Sequence, residues 1–186
     1  MIRRRFFIFL VAPIILLWAT FSYATTIIPA TLEYMTDFSG TIIIGHVSDQ
    51  YSYKEDEKIF TNIVIEVERF VKNRQGERAS PIQLKIPGGK VEDIAFELDG
   101  APIFTPGEKV LLFLKKTDEV YFPYGLNYGV YKIFSDEGEG KEFINGPLFN
   151  HSMHYNISTM QAVRNTEALG KKEFIPFLER VEKLVK

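Results

Sequence analysis

From Thr41 to Phe134 the chain is a succession of short runs, each β-branched, apolar or alternating, and most are closed by glycine, proline or aspartate. Such spacing suits an all-β sandwich or barrel, because a strand needs only a handful of residues before a turn returns the chain. Thr41 to Val47 reads T-I-I-I-G-H-V, and Ile59 to Val71 alternates Ile63, Ile65 and Val67 with Val64, Glu66 and Glu68. Further candidate strands are Ile82 to Ile86, Ile94 to Leu98, Val110 to Leu114, Val120 to Tyr124 and Tyr128 to Phe134. Between them lie Pro87-Gly88-Gly89, Asp99-Gly100, Pro106-Gly107 and Thr117-Asp118-Glu119, where glycine supplies positive φ and proline presets φ. The run V-L-L-F-L at 110–114 is apolar at every position, which predicts a central strand covered on both faces. Strand order is not legible from spacing.

The pattern changes at both ends. Thr31 is placed to cap a short helix through Phe38, with Leu32, Met35 and Phe38 on one face, set to close a barrel mouth. After Phe143, Ser158 followed three residues later by Gln161 is a capping-box signature, and Phe174, Phe177, Leu178, Val181, Leu184 and Val185 recur at helical spacing. Glu179/Lys183 and Glu182/Lys186 are i, i+4 pairs of favourable orientation on that last helix. The expected fold is therefore mainly β: a small OB-like β-barrel over residues 25–145 with a short N-terminal helix, then a C-terminal extension of two helices over 146–186.

Residues 1–24 are a different kind of sequence. Arg3, Arg4 and Arg5 precede an apolar run from Phe6 to Trp18, and Ser22-Tyr23-Ala24 is a small-x-small end. Those are the three parts of a cleaved secretory signal peptide, with Thr25 as the new first residue. Pro13, Thr20 and Ser22 interrupt the stretch that an uncleaved anchor would need. The expected location is periplasmic or extracellular, with no stable membrane insertion after cleavage. Removing the leader leaves 19 basic residues against 24 acidic ones, a net charge of −5. That opposes nucleic-acid binding, which needs a basic surface. With no cysteine in the chain, disulfide stapling and thiolate chemistry are excluded, and a domain this size buries roughly 70% of its unfolded surface without them.

Catalytic chemistry needs a nucleophile with a base, tuned carboxylates or a metal. The chain offers only His46, His151 and His154, and a hydrolase would have to bring these together with acids such as Asp93 or Asp99. His151-x-x-His154 is half a metal site with no third ligand nearby in sequence. The acidic stretch 136–140 lacks the ligand order of a calcium loop and reads as a solvated turn. No catalytic residue, metal or cofactor is expected, and the chain reads as non-enzymatic. Tyr121, Tyr124, Tyr128 and Tyr131 are the candidate stacking surface of an envelope module that binds sugar or peptide, cross-strand packing being the competing explanation.

Read from Thr25, the chain runs T-T-I-I-P, T-I-I-I-G-H-V, I-F-T-N-I-V-I-E-V-E-R-F-V-K, P-G-G, G-A-P-I-F-T-P-G-E-K-V-L-L-F-L and Y-G-L-N-Y-G-V-Y-K-I. This resembles a family of exported bacterial proteins of no established function, over most of residues 25–134. It is similar, more weakly, to the netrin-like OB-type domain of the tissue inhibitors of metalloproteinases. That second resemblance implies that the free amine and carbonyl of Thr25 chelate the zinc of an exported metallopeptidase, that Thr26 enters the adjoining pocket and that Pro29 stiffens the arm. Thr25 and Ile27 stand where those inhibitors have cysteines, so Ile27 and Ile28 would have to hold the arm by burial, each contributing about 1.5 to 3 kcal/mol if fully covered.

Overall fold

Two long strands dominate the architecture: β1 (Thr41–Glu55) and β2 (Lys58–Asn73) pair antiparallel over their whole length. A computed structural model describes residues 31–74, 76, 80–98, 100–118, 120–136, 138, 140–146, 153–156, 161–164 and 171–185. The leader, Thr25, Thr26, Pro29, Asp99, His151 and Ser158 lie outside the described residues. β1 and β2 meet at Asp56 and Glu57, both at positive φ (46° and 65°), the mirror-image turn whose twist suits a two-residue hairpin.

β2 continues antiparallel to β3 (Ile82–Pro87), β3 pairs parallel with β7 (Val120–Pro123) at Leu84 and Tyr121, and β7 pairs with β6 (Lys109–Thr117). β6 then returns to β1 through Thr41–Leu114 to His46–Lys109. Five strands close into a ring in the order β1-β2-β3-β7-β6, the OB-like barrel expected from the sequence. A small hairpin of β4 (Gly89–Val91) and β5 (Ile94–Phe96) is inserted between β3 and β6. β8 (Val130–Asp136) adds to the first half of β6, β9 (Lys141–Asn145) adds to β8, and β12 (Lys172–Glu173) to β9.

This places β6 between two cores. Val110, Leu112 and Leu114 face the barrel interior with Ile43, Ile65 and Leu84. Leu111 and Phe113 face the other way, into a second cluster with Ile42, Ile44, Tyr131 and Ile144. α1 (Leu32–Phe38) and α2 (Phe174–Leu184) cover that second cluster through Met35 and through Phe174, Leu178 and Val181. The uninterrupted apolar run is thus a strand with a packed layer on each side.

The N-terminal helix forms as the sequence predicts, with Thr31 Oγ1 accepting from Tyr34 N at 3.2 Å, yet it packs on the outer cluster instead of across a barrel mouth. Phe38 is solvent-exposed and packs on Tyr34, because a seven-residue helix brings only Leu32, Met35 and Thr36 over the sheet. The buried Lys72 ammonium donates to the carbonyls of Thr36 and Asp37 at the helix C-terminus, where a cation meets the negative dipole end.

The C-terminal part departs from expectation. Among the described residues one helix is present there where two were expected, and Gln161–Arg164 forms β11, antiparallel to β10 (Met153–Asn156). A capping box is a local preference of about a kcal/mol, and cross-strand pairing outweighs it here. On α2, Glu182 pairs with Arg69 of β2, and Arg180 with Glu33 of α1 at 2.7 Å, so the helix is tied to the domain. Among the described residues no helix is long and apolar enough to cross a membrane.

Candidate functional site

A groove of about 580 Å³ lies where the barrel interior opens toward the inserted hairpin. That is within the size range of ligand sites. Its barrel side is made by Gln50, Thr61, Ile63 and Ile86, and its far wall by Asn127, Lys132 and Asn145.

The P-G-G turn positions the hairpin over it. Gly88 and Gly89 have φ of 105° and 133°, and a Cβ on Gly89 would lie 2.3 Å from Thr61 Oγ1 and 2.4 Å from Ser52 Oγ. Only glycine lets the two layers approach. Thr61 Oγ1 donates to Gly88 O at 2.7 Å, Ser52 and Thr61 share a hydrogen bond of 2.9 Å, and Lys90 N donates to Ser52 Oγ at 3.3 Å.

The segment G-A-P-I-F-T-P-G-E forms the lip. Extended backbone sends alternate side chains to opposite sides, so with Pro102 and Phe104 buried, Ile103 is turned out and is 78% exposed. The segment's far end is fixed by Gly107 N to Val47 O at 2.7 Å, Val47 N to Glu108 O at 2.9 Å and a Lys132–Glu108 ion pair of 2.7 Å. Ile94 is 62% exposed and Phe96 47%, and Leu98 is also open to solvent. Phe96, Leu98 and Ile103 line the groove itself.

The four tyrosines expected to stack a ligand do not form such a surface. Tyr121 is buried in the barrel core, and Tyr128 and Tyr131 in the outer cluster. Tyr124 packs at the edge of that cluster, its ring 6.1 Å from Tyr34 and 4.7 Å from the Lys115 ammonium. Their spacing suits strands and a turn over β6, and hydrophobic burial took the rings inward. Burial pushes the phenols of Tyr128 and Tyr131 upward, and desolvation with the neighbouring Tyr34 does the same to Tyr124. A raised folded-state value means that unfolded chains ionise first, near pH 10. Stability is complete below that point and falls as pH rises above it. Tyr131→Phe is expected to flatten this alkaline loss, read as the urea midpoint between pH 9 and pH 12.

His46 lies on β1 and its Nδ1 is 3.2 Å from Glu68 Oε1, while Lys109 bridges Glu68 at 3.5 Å and Glu142 at 2.9 Å. This is a part-exposed ion-pair cluster. Asp93 sits in the β4–β5 turn and His154 on β10. Among the described residues no three of His, Asp and Glu are placed to hold a metal. Asp136, in the acidic turn, is held below the usual carboxylate range by the Lys171 ammonium and the Gly138 N–H. The hairpin and lip were read from the sequence as turns and one strand, and their exposed Ile94, Phe96 and Ile103 carried no signal that separates them from core residues. No protein-family model matches the chain, and comparison with curated proteins finds no relative.

Proposed function

We propose that the mature chain is an exported, non-enzymatic protein-interaction domain whose groove takes an extended apolar segment of a partner. The observation that carries this reading is the exposure of Phe96, Leu98 and Ile103 together around one concavity, in a chain that otherwise buries two apolar clusters. Exposed apolar surface gathered at one place marks an interaction site. β5 supports the reading, because among the described residues its only strand partner is β4. A strand edge of this kind accepts an added peptide strand, with alternate side chains entering the groove. Glu92, Asp93 and Glu97 flank the edge, which favours a partner segment bracketed by Lys or Arg.

A photoreactive residue at position 103 is expected to crosslink one protein in cells, and one at Glu179 on α2 is not. Phe96→Asp is expected to weaken capture of that protein about thirtyfold, the effect of losing an anchor of about 2 kcal/mol, with the thermal melt unchanged. Equal crosslinking from both positions, or binding indifferent to Phe96→Asp, defeats the proposal. Its narrower form is an inhibitor of an exported zinc metallopeptidase acting through Thr25, Thr26 and Pro29. Acetylating the Thr25 amine separates the two: it abolishes zinc-directed inhibition and leaves groove binding intact.

A further inference from the structure

A second surface lies on the outer face of β1, β2 and β3, away from the groove and from the tyrosines read in the sequence. Tyr51 and Tyr53 alternate along β1 and so share a face. The register sets Asn62 opposite Tyr51 and Phe60 opposite Tyr53, and on β3 sets Lys85 opposite Asn62. Ring centroids are 6.2 Å apart from Tyr51 to Tyr53 and again from Tyr53 to Phe60. The result is a bent row of three rings. Tyr51 is 50% exposed, and its hydroxyl accepts from Asn62 Nδ2 at 2.9 Å, which fixes the ring before any ligand arrives. A hollow of about 160 Å³ opens between Tyr51, Tyr53, Asn62 and Gln83.

The chemistry of the face narrows what it can take. At about 160 Å³ the hollow accepts one ring at a time, and the row of aromatics continues past it as a chain-like ligand would. The negative face of an aromatic ring attracts the weakly positive C–H bonds on one side of a pyranose. The exposed Gln83 side-chain amide supplies both donor and acceptor for hydroxyls, while Asn62 is buried and spent on holding Tyr51. Charge is balanced within the face: Lys85 lies 4.2 Å from the Phe60 centroid, and its ammonium meets both Glu55 oxygens at 2.7 and 2.9 Å. A single-stranded nucleic acid would need cations left over for its phosphates, and the lysine of this face is already neutralised. We infer that this face binds a neutral polysaccharide, with one pyranose ring in the hollow over Tyr51 and Tyr53.

The test is native affinity electrophoresis of the chain starting at Thr25, in gels carrying neutral polymers of glucose, mannose or N-acetylglucosamine, with polygalacturonate as the anionic control. At least one neutral polymer is expected to retard the protein. Tyr51→Ala and Tyr53→Ala are each expected to weaken that retardation at least tenfold, with unchanged melting temperature. Gln83→Ala, which removes a polar wall of the hollow and no ring, provides a second reading and is expected to weaken it severalfold. Ile103→Asp, at the groove lip, is expected to leave it unchanged, so failure here is separable from failure of the groove proposal. Migration unaffected by every neutral polymer overturns the inference. So does retardation indifferent to the two tyrosine variants, or a face that responds only to polygalacturonate.

Discussion

Leu112→Ala is expected to lower the free energy of unfolding by about 2 to 5 kcal/mol. Leu112 is fully buried in the barrel interior, and its strand neighbours are Ile43 of β1 on one side and Val130 of β8 on the other. Hydrogen-bonded ladders on both flanks hold the backbone in place, so the surrounding core cannot collapse into the space left by the lost side chain, and the cavity term adds to the lost transfer energy. Phe113→Ala, one residue on, is expected to cost about 3 to 5 kcal/mol through the other core, where its ring lies 5.6 Å from that of Tyr131. Urea titration of both variants is the measurement. A loss below about 1 kcal/mol at either position would mean that one of the two layers is absent.

Gly45→Ala is expected to destabilise the barrel by about 3 kcal/mol, the upper range for forcing atoms into a packed interior. A Cβ at this position would lie 2.4 Å from Glu66 O and 2.9 Å from Ile65 Cγ2. The oxygen belongs to the backbone of β2, which pairs with β3 on its other side. β1 is itself held by β6 through the Gly45–Val110 pair, so neither strand can move without disturbing a ladder. Gly40 provides the control. It lies five residues earlier, where a Cβ would meet nothing within 4 Å, and Gly40→Ala is expected to leave the urea midpoint within a few tenths of a molar of the parent. Equal midpoints for the two variants would contradict the close approach of β1 and β2.

What was legible from the sequence was whatever a short stretch decides locally. Turn chemistry at Pro87-Gly88-Gly89 and Pro106-Gly107, the cap at Thr31, the apolar stripe of Phe174, Leu178 and Val181, and the double-faced run at 110–114 all reappear in the fold. What was missed depends on neighbours distant in the chain. Asp49 to Glu55 is too polar to announce a strand, yet it pairs with β2 residue by residue. Gln161–Arg164 carries a helix-start signal and lies in a hairpin, since pairing with Met153–Asn156 is worth more than a local cap.

The aromatic residues make the same division at the candidate sites. By sequence, Tyr121 to Tyr131 is the densest group of rings and Tyr51, Tyr53 and Phe60 is unremarked, but the fold takes the first group largely inward and leaves the second on a surface. Period and turn chemistry decide which residues form strands. They do not decide which face of a strand receives a second layer. On β6 that choice follows from where β8 and the two helices return, and on β1 and β2 from their absence over residues 51–62. The sequence by itself therefore determined a mainly β, OB-like fold with a helix before the barrel and another at the C-terminal end. Only the tertiary structure decided which apolar side chains remain in solvent, because burial is a property of what packs against a residue and not of the residue alone.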